Sequence, residues 1–414
     1  MIMAPRTILM VGLHDGYART LSADPGFAAY LLEEPSLYDP DRHPGVPPGR
    51  VVLAGYQQST AFAEPVARLA RTAGLHAAVP ALEYGVHAAG QIARDHGLPY
   101  PGWTAVQACT DKGYLRRLLH DSGIAQPRWR LVQDAAEVKA FHEGRPIVLK
   151  PTNGRASEGV RRIDDPALSE AAWQDLMGLD SRLGYTAIRR AYRYIVEDLV
   201  IGDQVSVETL YRDGRPVFDN ICLMRTGFGD YFPIMSVTVP APLSPADHAA
   251  SIAASHRLGR LLAVENGFIH SEWKIAGGAP YLIECAARVP GAFTPELVMH
   301  ACRGWNMYDA QIRVLSGAPA PVAPAPDRIA SITWFRVPPG TVTAVHGADV
   351  LTSHPSIVMS RLKVDVGDTV PVMRTGWDRV GYFACTGATW PEVQRVIDEV
   401  TTAVRIDVAA GDAR

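Results

Sequence analysis

The stretch Gly267–Cys285 leaves little choice of conformation. Two runs of apolar alternation, Gly267–Ile275 (GFIHSEWKI) and Pro280–Cys285 (PYLIEC), flank Ala276-Gly277-Gly278-Ala279. Alternation at a period of two marks a strand with one buried face, and a Gly-Gly pair supplies a tight hairpin turn. Such a hairpin brings Glu272 and Glu284 together. Two carboxylates forced close repel unless a cation bridges them. Magnesium takes oxygens from one or two carboxylates and fills its shell with water and nucleotide phosphates, so the pair suits MgATP. Acids on the wet face of a half-exposed hairpin are the simpler alternative, but that leaves unexplained Arg288, four residues after Glu284. An arginine beside two metal-binding acids can stabilise charge on a transferring phosphoryl group or a tetrahedral intermediate.

Two lysines extend the set. Lys150 ends the strand Pro146–Pro151 (PIVLKP) and precedes Thr152–Gly159 (TNGRASEG), a loop with Gly154, Ser157 and Gly159. Small residues let backbone N–H groups approach phosphate oxygens, and a strand-ending lysine adds positive charge. Lys112 follows Asp111 at the start of a helix expected over Asp111–Asp121. Taken singly, the first reads equally as a surface turn and the second as a solvated helix end. Together with the acids they form one constellation.

At 414 residues the chain is too long for one compact core. Arg6–Leu13 and Arg50–Tyr56 are β-branched apolar runs of the kind buried in parallel sheets, separated by a Pro- and Asp-rich loop over Glu33–Gly49. Helical spacing predicts a helix over Glu83–His96, stopped by Gly97. Tyr194–Leu199 and Gln204–Tyr211 are expected as strands around the turn Ile201-Gly202-Asp203, and Ala318–Asp327 as an unpacked Pro/Ala linker before a small α/β tail closed by a helix over Trp390–Val404. A net charge of -3 provides no field for nucleic acid or anionic lipid. Five scattered cysteines without a Cys-x-x-Cys pair indicate neither disulfides nor a zinc cage, and fit a reducing cytoplasm. The apolar run of the amino terminus leads into His14 and Asp15 without a cleavage pattern, so a first strand is expected there rather than a signal peptide, and no apolar run is long enough to span a membrane. VGLHDG, at Val11–Gly16, does not give the G-x-G-x-x-G of a dinucleotide-binding turn.

The segments EYGVHAAGQIARDHGLP, DKGYLRRLLHDSGIAQP, PIVLKPTNGRASEGV, YIVEDLVIGDQVSVE, FIHSEWKI and YLIECAARVPGA occur in that order over nearly the whole chain. In this pattern the chain resembles the ATP-grasp carboxylate–amine ligases, most closely the bacterial L-amino-acid ligase branch that makes dipeptides. The tail from Ser331 through RVGYFACTGATWPEVQRVIDEV resembles that branch's carboxy-terminal subdomain. The resemblance implies an α/β ATP-grasp fold: a Rossmann-like parallel-sheet domain over 1–105, a lid over 106–195, a catalytic core over 196–318 and a C-terminal α/β subdomain over 328–414. It implies that Lys112 and Lys150 touch ATP phosphates under the closing loop with Gly154 and Ser157. Glu197, Asp198, Leu199 and Val200 would meet the adenine, Glu197 near its exocyclic amine and Leu199 through its backbone. Either Asp203 or Gln204 would contact the ribose, where the family usually has Glu. Glu272 and Glu284 would bind Mg2+, which Mn2+ can replace, and Arg288 would hold the phosphoryl oxygen and the substrate-derived group.

Two departures follow from the same comparison. Ala286 stands where the family usually places a metal-binding Asn, and Ile234 and Val237 stand where some dipeptide ligases carry an acid and a histidine, which predicts a more apolar amine pocket. The expected activity is ATP-dependent amide or peptide bond formation through an acylphosphate in bacterial secondary metabolism. The partners would be a small-molecule carboxylate and an amine, with no nucleic acid or membrane, and the assembly a homodimer. The alternatives are a ligase for a non-amino-acid substrate and a nucleotide-binding regulator that has lost catalysis, which Gln204 and Ala286 would signal and the intact pair Glu272 and Glu284 argues against.

Overall fold

The computed structural model describes residues 4–42, 45–178, 193–227 and 229–409. Parts of the expected first strand (1–3), Pro/Asp-rich loop (43–44), lid (179–192) and tail (410–414) lie outside the described residues. The opening unit is a parallel sheet of β1 (Arg6–Val11), β2 (Phe27–Glu33), β3 (Val51–Leu53) and β4 (Leu75–Pro80) in the order β3-β2-β1-β4, with α1 (Asp15–Ala23), α2 (Ala63–Ala73) and α3 (Val86–Asp95). Ile8 and Met10 join one apolar cluster and Leu9 and Val11 another. Burial on both faces is why β1 is apolar throughout instead of alternating.

Helices α4 (Trp103–Thr110) and α5 (Lys112–Leu118) lead into a four-stranded antiparallel lid, with β5 (Trp129–Val132), α6 (Ala135–His142), β6 (Ile147–Pro151), β7 (Arg161–Ile163), α7 (Ser169–Met177) and β8 (Tyr194–Asp198), ordered β5-β8-β6-β7. The chain then builds a central sheet from β9 (Asp203–Arg212), β10 (Arg215–Thr226), β11 (Ile234–Val239), β12 (Gly267–Ala276) and β13 (Ala279–Ala286), with α8 (Pro245–Leu261), α9 (Thr294–Ala301) and α10 (Met307–Leu315). The C-terminal stretch contributes β14 (Ile329–Trp334), β15 (Gly340–His346), α11 (Val350–Ser353), β16 (Ile357–Leu362), β17 (Thr369–Val370), β18 (Gly381–Gly387), α12 (Trp390–Ala403) and β19 (Arg405–Ala409). Three of these strands extend the central sheet, ordered β13-β12-β9-β10-β11-β14-β18-β16, and the other three form β17-β15-β19.

Two local segments show more than their sequence did. The strands flanking Ile201-Gly202-Asp203 do not pair: β8 belongs to the lid and β9 to the central sheet. Gly202 lies at the crossing between the two sheets, where a Cβ would stand 2.0 Å from the Ile275 carbonyl oxygen. The Pro/Ala stretch is irregular and mostly exposed, with Val322 92% exposed, but it touches the core at a few points. Ala318 is buried, Ala320 and Ala323 rest on the main core, and the Trp305 indole donates to the Pro321 carbonyl (3.1 Å).

Candidate active site

The β12–β13 hairpin turns through Gly277 and Gly278, with φ of 57° and 77°, and sets Glu272 directly opposite Glu284. Residues opposed across an antiparallel pair share a face of the sheet, so both acids project to the same side. Gln204 on β9 donates its amide to Glu272 Oε2 (2.8 Å), and His270 Nε2 lies 3.3 Å from Glu272 Oε1. His270 Nδ1 is 3.0 Å from Glu208, whose other oxygen accepts from Asn220 (2.7 Å). Burial would lower the His270 pKa, but hydrogen bonds to Glu208 and Glu272 raise it to about 9, so the ring is an imidazolium at neutral pH.

Asp111 caps α5 by accepting from the amides of Gly113 (2.8 Å) and Tyr114 (3.2 Å), which fixes the position of Lys112. Lys112 Nζ lies 3.0 Å from Glu284 Oε2 and donates to the Gly154 carbonyl (3.2 Å). Lys150 Nζ on β6 is 2.7 Å from Glu197 Oε2, and Arg116 holds the same carboxylate with bonds of 2.8 and 3.2 Å. Burial favours the neutral form of Glu284, yet Lys112 and then Lys150 override it and hold the carboxyl well below its usual range. Both lysines therefore act on the acid that faces Glu272.

Arg288, just beyond β13, donates Nε to Glu83 Oε2 (2.6 Å) and NH1 to the Val289 carbonyl (2.9 Å). Burial opposes its charge, but Glu83, Glu284 and Glu272 sustain it. Beside this pair opens a cleft of about 640 Å³ between the first domain and the glycine loop, lined in part by Gln57, Thr60, His87, Gln91, Lys112 and Gly154. The loop lies against both ends of the chain. Ser157 Oγ donates to the Phe232 carbonyl (2.8 Å), the Arg155 guanidinium sits over the rings of Tyr84 and Trp377, and the Gly376 amide donates to the Ala156 carbonyl (3.2 Å). Gly154 permits the fold of the loop, since a Cβ would meet the Pro151 ring at 2.7 Å.

The acids fit a divalent ion. They are two hard oxygen donors on one face, and among the described residues no group of three or more His, Cys, Asp or Glu could hold a metal. An ion with so few protein ligands must complete its shell with water and phosphate oxygens, which is how magnesium is commonly held beside a nucleotide.

Residues 143–296 match the ATP-grasp domain family, and residues 333–409 match the L-amino acid ligase C-terminal domain 2 family. The chain carries an ATP-grasp domain followed by an L-amino acid ligase C-terminal domain 2. Its fold matches the crystal structure of the L-amino acid ligase from Bacillus licheniformis with a TM-score of 0.79 at 17% identity, covering 99% of this chain and 100% of the other. The uncharacterized protein y4rH of Sinorhizobium fredii is 25% identical over 90% of this chain and 76% of its own length. Dapdiamide A synthase of Enterobacter agglomerans is 22% identical over 45% of this chain and 44% of its own length. ATP-grasp relatives of this kind are ATP-dependent ligases. No described helix is long and apolar enough to cross a membrane.

Strand β8 is anchored through its side chains. Glu197 faces Arg116 and Lys150, whereas Asp198 takes Arg128 in a fork with bonds of 3.0 to 3.2 Å. The Leu199 amide donates to the Pro146 carbonyl (2.9 Å), which commits that N–H, and Val200 is half-buried. Asp203 is exposed and lies 3.4 Å from Arg225, whereas Gln204 turns inward to Glu272. Val237 is buried in the main core and Ile234 packs against it. Arg116 and Glu83 carry site geometry that the sequence reading did not assign. Arg116 follows Lys112 at i+4 on one helical face, a signal that was present, but Glu83 had none, because Arg288 lies 205 residues away.

Proposed function

We propose that this protein joins the carboxylate of an amino acid to the amine of a second small molecule, cleaving ATP to ADP and phosphate. One observation carries the reading: Glu272 and Glu284 stand side by side, Lys112 bonds the second acid, and Lys150 bears on it electrostatically. The two acids would hold magnesium or manganese, which supplies charge neutralisation for the triphosphate. Lys112, Lys150 and the amides around Gly154 and Ser157 would bind the phosphate oxygens, with the adenine against Glu197–Val200 and the ribose near Asp203 or Gln204. The substrate carboxylate attacks the γ-phosphorus, giving an acylphosphate and ADP. The amine then attacks the acyl carbon, and Arg288, aimed by Glu83, stabilises the oxyanion while phosphate leaves. The loop over Thr152–Gly159 would shield the acylphosphate from water.

Phosphate release from purified protein, MgATP and pairs of amino acids tests this. Release that requires both members of a pair, with loss of water between them in the product mass, supports the reading. Release that never depends on an acid and an amine together refutes it.

A further inference from the structure

Arg379 is out of balance with its surroundings. Its Nε–H is enclosed and meets no acceptor, and its guanidinium has no carboxylate partner among the described residues. Desolvated cations are ordinarily paired, because an unpaired charge in a poorly solvated place is costly. Here burial lowers the pKa to about 10, with only weak compensation from Asp378. That nearest acid is committed elsewhere: its Oδ2 accepts from the amides of Arg374 (3.0 Å) and Thr375 (2.7 Å) and from the Thr375 hydroxyl (2.9 Å).

The surroundings hold the guanidinium in place without neutralising it. It stacks 4.1 Å from the centre of the Trp334 ring. Gly376 leaves room for it, since a Cβ there would stand 2.6 Å from Arg379 NH2. Arg379 and Arg361 both disfavour the charge of nearby Lys363, after burial, so this corner carries excess positive potential. Two links tie the corner to the active site. Gly376 is bonded to Ala156 of the glycine loop, and Trp334 neighbours Phe293, at 6.4 Å between ring centres. Phe293 ends the turn that starts at Arg288 and, with Ala292, is held at positive φ (52° and 60°).

We infer that Arg379 is the receptor for a carboxylate of the amine-bearing substrate, which makes that substrate an amino acid rather than a simple amine. The inference rests on the ligase reading above. In amide formation the acid substrate loses its carboxylate to the new bond, whereas an amino acid acting through its amine keeps its own. A planar guanidinium fixed on an indole face can take such a group through two parallel hydrogen bonds.

The test begins with the best amino-acid pair from the phosphate-release assay. The amine partner is compared with its carboxamide, for example glycine with glycinamide or L-alanine with L-alaninamide. The wild type should prefer the carboxylate form by about ten- to hundredfold in kcat/KM, the worth of one charged hydrogen-bond pair. Arg379→Met should erase most of that preference by raising KM for the carboxylate form alone, with KM for MgATP within about twofold, and Arg379→Lys should restore part of it. Three results overturn the inference: equal losses for acid and amide forms, which mark a structural role; a rise in KM for MgATP, which places the guanidinium on nucleotide; or no change. If no pair consumes ATP in the wild type, the ligase reading itself fails, whereas intact turnover with unaltered discrimination removes only the assignment of Arg379.

Discussion

Replacing Glu197 with Gln keeps the shape of a buried side chain and removes the charge that two cations share. In the wild type Arg116 is fully enclosed and Lys150 nearly so, and each lies within 2.8 Å of the Glu197 carboxylate. Once that carboxylate becomes a carboxamide, a single acceptor oxygen faces two buried cations, Arg116 keeps the Ile283 carbonyl (2.8 Å), and Lys150 loses its counter-ion. Breaking one member of a buried ion pair costs about 3–5 kcal/mol. An independent route agrees at the lower end. Burial would raise the Glu197 pKa, but Arg116 and Lys150 pull it from 4.5 down to about 2, which is worth about 3 kcal/mol at neutral pH. The sign follows from the depression: this stabilisation is complete above about pH 4.5 and is lost as pH falls toward about 2. Amide hydrogen exchange in β6 and β8 is the assay, because both strands carry the triad. Protection there should drop about 10²- to 10⁴-fold in Glu197→Gln at pH 7. Glu143→Gln, which removes the exposed partner of Arg128, should cost no more than about 1 kcal/mol. Protection in β6 and β8 that stays within about threefold of wild type would refute the reasoning, as would a loss spread evenly over β1–β4.

Glu284→Ala should lower kcat by about 10²- to 10³-fold and blunt the response of ADP formation to added magnesium; if both stay at wild-type level, the metal assignment is wrong. Glu83→Gln releases the charged anchor of Arg288 and should lower kcat by about ten- to hundredfold with KM for MgATP little changed, and steady-state kinetics showing the reverse split would place Arg288 on the nucleotide instead. Gly202→Ala forces a methyl group against the Ile275 backbone and should destabilise by about 1–3 kcal/mol, seen as a lower midpoint in thermal unfolding; an unmoved midpoint would mean that the β8–β9 crossing yields.

Local pattern carried much of this fold. The alternation on either side of Gly277-Gly278 fixed both the hairpin and the pairing of its acids, and the β-branched run Ile8–Val11 announced a strand buried on both faces. The turn Ile201-Gly202-Asp203 was legible from its glycine, but the constraint on that glycine is the approach of Ile275, far along the chain. The Pro/Ala stretch is exposed over most of its length, as its composition suggests, but composition could not show the apolar surface that receives Ala318, Ala320 and Ala323. In the site, Lys112, Lys150, Glu272 and Glu284 were legible because each sits at a marked place, a helix start, a strand end or a hairpin. The counter-charges were not. Glu197 is 81 residues from Arg116 and Glu83 is 205 from Arg288, and only the assembled fold pairs them.

The central sheet runs unbroken from the β12–β13 hairpin through β11 to β14, β18 and β16. A hydrogen-bonded ladder cannot swing like a door without unzipping its rungs. The floor of the site and Arg379, just ahead of β18, therefore behave as a single anvil. The four-stranded unit has a sheet of its own, continues into the central sheet through the short span Leu199–Gly202, and touches it again where Ser157 bonds Phe232 and Ala156 bonds Gly376. Gly202, wedged against Ile275, is the rivet that sets the angle at which the smaller sheet leaves the larger one.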